Sequence, residues 1–350
     1  MSRLVLVLCD LYPTRLDPST QVARLPALEQ WLARGVADLH GGDWRQWLQR
    51  EFHRDSGQAE WRAAPPASIA AVAVAGVAPG HAVWFATPVH FVVGLDTLRV
   101  HPAGLLRMTL DEQQALSLDF ARVFAGSGWS LLATGRRELL LTGGSGSEVG
   151  ESAGEVNSRD PALWLGTDPS TGLKVGERAT PLRRLGAELE MWLHEHGVNT
   201  ARASRGSLNA NAFWLWGGGA PAVSLLPEPA PSRALAWSDD LFVDGLAQLT
   251  GALVQPRPER WPATANTQAV EPSGDRLVVL ELGATSDARS LLALDRDWIA
   301  PALAQLQRGA YQSATLLAGS RAVTLGRAPL RRFWSALRRP RPWWEILLRC

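Results

Sequence analysis

The sequence contains very little cysteine and almost no lysine. Its 350 residues include two cysteines, Cys9 and Cys350, too few for a disulfide framework, and this indicates a reducing compartment. Lys174 is the only lysine, so arginine carries nearly all the positive charge. Arginine makes planar, bidentate contacts with carboxylates and phosphates, which is one explanation of its abundance. A coding bias toward arginine is the alternative explanation, because it gives the same composition. The formal net charge of +1 excludes a global field that draws the chain to nucleic acid.

Long apolar runs are also missing. The apolar run at residues 4–9 is shorter than the ~7–15 residues of a signal-peptide core. No stretch approaches the ~18 consecutive apolar residues of a membrane span. We therefore expect a cytoplasmic protein without a transmembrane segment. The length suits about two domains, and the 46% hydrophobic content is that of an ordinary folded chain.

Strand and helix patterns alternate along the chain. Residues 4–9 predict a buried parallel strand, because they are apolar without alternation. Thr109 and Glu112 form a capping-box pattern that predicts the start of a helix over residues 110–124. The alternation predicts an α/β fold with a mainly parallel sheet flanked by helices. The other predicted elements are a helix over 25–34 ending at Gly35, a hairpin over 131–141, a helix from Pro181 ending at Gly197, strands over 213–216 and 277–282, and a helix over 295–306.

The most distinctive segment runs from Asn199 to Gly219 and reads N-x-x-R-x-x-x-G-x-x-x-A-N-x-x-W-x-W-G-x-G. It resembles a segment of the archaeal-type cofactor-independent phosphoglycerate mutases, with nine positions in agreement and no gap. Residues 87–90, Thr-Pro-Val-His, together with the tryptophan-rich part of the segment, resemble the bacterial RpfE-type regulatory family, which is similar to those mutases. The chain is thus expected to be a relative of an enzyme family.

The resemblance implies an alkaline-phosphatase-like fold with an inserted, smaller α+β domain. On this basis residues 1–85 and 211–350 are expected to form the two halves of the core. Residues 86–210 are expected to form the inserted domain. The stretch 143–160 is rich in glycine, serine and glutamate, and we expect a mobile loop there.

The resemblance also implies a site that this chain has in large part lost. The mutases use two divalent metals, held by aspartate and histidine, around a serine nucleophile. All seven histidines here lie at or before residue 196, whereas the family places its metal-binding histidines in the C-terminal half. Asp10 matches the first metal aspartate, Asp287 is a possible carboxylate remnant, and Ala67 stands where the family has serine, one residue before Ser68.

We therefore expect a non-catalytic or regulatory relative that needs no metal cofactor. An active metal-dependent mutase or phosphatase is the alternative, with Ser68, Asp10 and Asp287 as the catalytic set and Mn²⁺ or Mg²⁺ as the cofactor. A third possibility is an adaptor that uses the tail after Leu330, where arginine and tryptophan are interleaved. Such a tail suits a membrane surface or a nucleic-acid backbone, but it also suits a docked terminal segment with buried tryptophan rings.

A small anionic metabolite is the expected ligand. Arg202 and Arg205 are expected to form a fork for a phosphate or carboxylate. The glycines after Trp216 are expected to let a ligand approach the backbone. The candidate ligand-binding residues are Asn199, Arg202, Arg205, Asn211, Trp214, Trp216, Gly217, Gly219 and His90. For each one a structural role is the alternative, such as capping, turning or filling a domain junction.

The pair His194 and His196 is not expected to bind a metal. Residues two apart do not share a helix face. A position at a helix end is favoured instead, where a cationic imidazole suits the helix dipole. No nucleic-acid ligand is expected, and the identity of a protein partner stays open.

Overall fold

The computed structural model describes most of the chain and divides it into two compact units. The first comprises Met1–Phe52, Pro229–Asp239 and Thr250–Cys350, and the second comprises His53–Glu228 and Asp240–Leu249. The described residues are 2–9, 11, 23–39, 43–56, 64–78, 80–94, 97–143, 159–169, 180–219, 234–262, 274–281, 287–319, 321–326 and 341–348.

Twelve strands and ten α-helices are present in these residues. The strands are β1 (Arg3–Cys9), β2 (Val36–Leu39), β3 (Ala82–Val93), β4 (Leu98–Leu105), β5 (Trp129–Leu132), β6 (Leu139–Gly143), β7 (Ala212–Gly219), β8 (Leu235–Trp237), β9 (Leu253–Gln255), β10 (Arg276–Glu281), β11 (Ser313–Ala318) and β12 (Arg321–Gly326). The helices are α1 (Pro26–Arg34), α2 (Trp44–Ser56), α3 (Pro66–Ala71), α4 (Leu110–Val123), α5 (Thr180–Glu195), α6 (Gly197–Ser204), α7 (Leu241–Thr250), α8 (Ala288–Leu294), α9 (Ala300–Gln307) and α10 (Trp343–Leu348). A π-helical turn, Asp295–Ile299, joins α8 to α9.

The first unit is built on a seven-stranded sheet in the order β2-β12-β11-β1-β10-β8-β9. The strands from β11 to β9 are parallel, whereas β12 runs antiparallel to both β11 and β2. The sheet is therefore mixed, and the prediction of a mainly parallel sheet is wrong at the β2–β12 edge. Only two residues separate β11 from β12, and so short a connection can join antiparallel strands but not parallel ones.

Apolar side chains of the central strands form the core of this unit together with α1 and α9. Helix α1 lacks a side-chain cap of its own. The carboxylate of Asp295 accepts hydrogen bonds from the amides of Ala27 and Leu28, at 3.1 and 2.7 Å. The amide groups at the start of α1 are thus satisfied from the π-helical turn. Helix α10 adds Trp343, whose indole is fully buried and donates to the carbonyl of Ala23 at 3.0 Å.

The second unit is built on an antiparallel sheet around the long strand β3. This strand pairs with β4, β6 and β7, and β6 also pairs with β5. The predicted hairpin is confirmed as β5–β6. The capping box is confirmed as well, because Thr109 Oγ1 accepts from the amide of Glu112 and the Glu112 carboxylate accepts from the amide of Thr109. Helices α4, α5 and α6 cover the sheet with the leucines and aromatic rings of a second core.

Other predictions from the sequence are contradicted by the structure or are not tested by it. Gly197 begins α6 and does not end α5, which finishes at Glu195. Most of the predicted mobile loop 143–160 lies outside the described residues, as does Asp10. The predicted domain boundary at 85/86 falls inside β3, and the one at 210/211 falls just before β7. The assignment of a core and an inserted domain stays a prediction. Every helix in the described part of the chain is too short or too polar to cross a lipid bilayer.

Candidate functional site

The candidate ligand residues all lie in the second unit, on β3 or on the segment from α6 into β7. Asn199 lies in α6 and is buried. Its side-chain amide donates to the carbonyls of Leu193 and Ala210, each at 2.7 Å, and its Oδ1 accepts from the amide of Ala210 at 2.8 Å. Asn199 therefore ties the end of α5 to the start of β7, and its hydrogen-bonding capacity is largely used within the chain.

Asn211 extends the pairing of β3 with β7. Its Oδ1 accepts from the amide of Phe91 at 2.7 Å, and its Nδ2 donates to the carbonyl of Phe91 at 2.8 Å. The Asn211 side chain thus makes the two hydrogen bonds to Phe91 that the backbone of a paired residue would make at this end of the β3–β7 ladder. Its own amide donates to the carbonyl of Val89 at 3.1 Å.

The two tryptophans of the segment are also held within the unit. The indole of Trp214 donates to the carbonyl of Arg159 at 2.9 Å. The indole of Trp216 donates to Thr87 Oγ1 at 2.8 Å, and its ring lies 4.7 Å from that of Phe85. Both N–H groups have the partner that a buried indole needs.

The glycines after Trp216 make room for aromatic side chains of β3. Gly217 has φ +61°, and a Cβ atom on Gly218 would lie 1.8 Å from the ring of Trp84. Gly219 pairs with Val83 in the ladder. The close approach that the sequence suggested for a ligand is therefore taken by the indole of Trp84, at Gly218.

Arg202 and Arg205 both bind the carboxylate of Glu112. Arg202 Nη1 lies 3.0 Å from Glu112 Oε2, and Arg205 Nη2 lies 2.5 Å from Oε1. The Nε of Arg202 donates to the carbonyl of Leu208 at 2.8 Å. The same Oε2 accepts the capping-box hydrogen bond from Thr109. One carboxylate thus organises two guanidinium groups through charge-assisted hydrogen bonds.

The two arginines differ in their exposure. The side chain of Arg202 is 8% exposed and that of Arg205 is 57% exposed. Within the described ranges, Glu112 is the one partner of the Arg205 guanidinium, which leaves Nε and Nη1 available to an external anion. Two guanidinium groups and one carboxylate give the cluster a local charge of +1. The predicted fork therefore exists as a pair, but Arg202 is used mainly inside the fold.

Glu112 was not predicted as part of this site. The sequence placed it only in the capping box of α4. Arg202 and Arg205 are three residues apart, a spacing that puts two side chains on one helix face, and two neighbouring cations on a half-buried face need a carboxylate. That spacing is a signal for an acidic partner, but the sequence does not show which glutamate or aspartate supplies it.

Ser68 and Asp287 are the residues of the catalytic alternative that the structure describes. Ser68 is buried in α3 of the second unit. Asp287 belongs to the first unit and caps α8, where its Oδ1 accepts from the amide of Ser290 at 2.7 Å. Hydrogen bonding to Ser290 holds the pKa of Asp287 below its ordinary value. Among the residues described, no group of three or more histidine, cysteine, aspartate or glutamate side chains could hold a metal.

Comparison with known proteins finds similarity to solved structures only. No protein-family model and no curated protein matches the chain. A cofactor-independent phosphoglycerate mutase from Thermoplasma acidophilum is 15% identical, with 92% of this chain and 88% of that chain covered at a TM-score of 0.35. The PH0037 protein from Pyrococcus horikoshii is 13% identical, with 93% and 87% covered at a TM-score of 0.45.

Proposed function

We propose that the chain is a non-catalytic, RpfE-type regulatory relative of the cofactor-independent phosphoglycerate mutases that binds a small phosphorylated or carboxylated metabolite. The proposal includes the alkaline-phosphatase-like core with an inserted domain, and a cytoplasmic location. The observation that carries it is the pair Arg202 and Arg205, both oriented by Glu112, with Arg205 extending into solvent.

The pair suits a small anion for a physical reason. A guanidinium group offers a planar fork of donors that matches the two oxygens of a carboxylate or phosphate. Glu112 holds Nη2 of Arg205, so less side-chain entropy is lost when an anion binds the exposed N–H groups of this guanidinium. Arg202 adds a second positive charge that is shielded from water.

The non-catalytic part of the proposal rests on the sequence. Phosphoryl transfer at a two-metal centre needs ligands that hold both ions, and imidazole is a favoured ligand. Residues 197–350 contain no histidine, whereas the mutases that the chain resembles place their metal-binding histidines there. Binding of an anion to arginine needs no metal, so it can persist after the metal ligands are lost.

A thermal-shift titration with 3-phosphoglycerate in the presence of a chelator tests the binding. A ligand that binds the native state at 100 times its Kd stabilises it by about 2.7 kcal/mol. We expect a rise in Tm for the wild-type chain and a much smaller rise for Arg205→Gln. Arg184→Gln is the matched control, because Arg184 is an exposed arginine paired with Glu188 on α5. Equal shifts in all three proteins, or no shift in the wild type, would refute the proposed site.

A further inference from the structure

The hairpin of β3 and β4 ends in apolar side chains that are exposed to solvent. Val93 is 82% exposed, more than any other large apolar residue in the described ranges, and Val92 and Leu98 are each 41% exposed. The amide of Gly94 donates a hydrogen bond to the carbonyl of Thr97 at 2.7 Å and closes the hairpin. Leaving apolar surface in water is unfavourable, and clusters of such side chains mark contacts with a partner or a lipid surface.

The register of the hairpin shows that both of its faces are apolar at this end. Val93 lies opposite Leu98, and the next pair toward the base of the hairpin is Val92 with Arg99. Successive residues of a strand point to opposite faces, so Val93 and Leu98 share one face while Val92 and Arg99 share the other. A flat protein surface covers one face of a hairpin, whereas a lipid leaflet surrounds an inserted end on both faces. The pattern therefore favours a lipid surface.

Positive charge lies directly behind the apolar end. Arg99 is exposed on β4. Arg159 is exposed as well, and its carbonyl accepts a hydrogen bond from the indole of Trp214, whose ring lies 6.3 Å from that of Phe91. In the part of the chain that the structure describes, neither arginine forms an ion pair. Both charges are therefore available to an anionic surface.

We propose that the hairpin end, residues 91–93 and 97–99, inserts into the headgroup region of an anionic lipid surface. Two steps along a strand, from Phe91 to Val93, cover about 7 Å. Peripheral segments bury their apolar face to a depth of about 5–10 Å. With Val93 at the acyl boundary, Arg99 and Arg159 lie near the level of the lipid phosphates, which guanidinium groups bind by charge-assisted hydrogen bonds. Three apolar side chains are a small anchor, so the binding is peripheral and reversible.

Co-sedimentation of the full chain with lipid vesicles tests the proposal. Vesicles of phosphatidylcholine and phosphatidylglycerol in equal amounts should bind the chain. Vesicles of phosphatidylcholine alone should bind it at least about tenfold more weakly, because the attraction of the arginines to anionic lipid is lost. Val93→Asp should weaken binding to the anionic vesicles at least about tenfold, and Arg99→Gln about fivefold.

Leu118→Asp and Arg308→Gln are the matched controls. Leu118 is 75% exposed on α4, and Arg308 is an exposed arginine of the first unit. The two controls make the same changes of charge as Val93→Asp and Arg99→Gln, and both should bind the anionic vesicles as the parent does. Absence of binding in the parent, equal binding to both kinds of vesicle, or equal losses in the controls would overturn the proposal.

A labelled thiol covers the case in which Val93→Asp does not fold, as judged by circular dichroism. Val93→Cys in a Cys350→Ser background adds one accessible thiol, because Cys9 is buried. An environment-sensitive fluorophore on this thiol should shift its emission to shorter wavelength when anionic vesicles are added. The same label on Leu118→Cys should show no shift. An unchanged emission at Val93→Cys, or the same shift at both positions, would contradict insertion of the hairpin end.

Discussion

The imidazole of His196 caps helix α6 through Val198: its Nδ1 accepts a hydrogen bond from the amide of Val198 at 3.1 Å. Acceptance requires an unprotonated Nδ1, so the ring is neutral. The ring lies 5.1 Å from that of Trp192, and its Nε2 lies 3.6 Å from Asp119 Oδ2. The predicted helix-end position is confirmed for both histidines, because His194 lies in the last turn of α5 and His196 caps α6, but the cationic form does not suit His196, whose Nδ1 accepts a hydrogen bond at a helix N-terminus.

This cap should make folding stability depend on pH. Burial lowers the pKa of His196 below its ordinary value of 6.5, and the carboxylate of Asp119 opposes this shift. The unfolded chain then binds more protons than the native chain below pH 6.5. The cap stabilises the fold fully above that pH, and its contribution is lost as the pH falls through the lowered pKa. The loss should be about 1 kcal/mol, as for other N-caps.

Urea denaturation across this pH range measures the effect. His196→Asn keeps a capping side chain without a titrating group, so it should remove this part of the pH dependence. His194→Gln removes an exposed histidine nearby and serves as the control substitution. A His196→Asn profile that still parallels the wild type would show that His196 is not the titrating group.

Glu112 should be important for the stability of the second unit. Glu112→Gln removes the charge that pairs with Arg202, whose side chain is 8% exposed, and with Arg205. Breaking a buried ion pair by removing one partner costs about 3–5 kcal/mol, because the other charge stays buried. Urea denaturation should show a loss in this range. Glu188→Gln, which breaks an exposed pair with Arg184, should change stability by less than about 1 kcal/mol.

The C-terminal helix α10 should be structural. Trp343 is fully buried among the core residues of the first unit, and its indole donates to Ala23. Trp343→Ala should destabilise the chain by about 3–5 kcal/mol, the usual cost of deleting a buried aromatic ring. Thermal unfolding measures this loss, with Trp344→Ala, at a half-buried position, as the milder comparison. A stable Trp343→Ala protein that no longer binds a partner would favour the adaptor alternative.

Local features of the fold were predictable from the sequence, whereas long-range ones were not. The capping box of Thr109 and Glu112 and the apolar run of β1 depend on residues that are near one another in sequence. The antiparallel pairing of β12 with β11 follows from a two-residue connection. That connection can be recognised only when the bounds of both strands are known. The prediction failed there because apolar strands look the same in either direction.

The candidate site shows the same division. The segment from Asn199 to Gly219 was recognised as distinctive, but its residues are used largely inside the second unit. The contact of Arg202 with Glu112 spans 90 positions in the sequence. No spacing rule connects residues so far apart, so the acidic partner that organises both arginines had to be found in the structure.

The central claim is that the chain binds this class of anion without transforming it, and phosphorus NMR tests it most directly. 3-Phosphoglycerate is mixed with the purified chain, first in Mn²⁺-free buffer and then with a stoichiometric divalent metal. We expect the phosphate resonance to broaden or shift with protein in both conditions, without growth of a 2-phosphoglycerate signal. Broadening should disappear with Arg205→Gln. Steady conversion of 3-phosphoglycerate into 2-phosphoglycerate after the metal is added would contradict the claim that the chain binds this class of anion without transforming it.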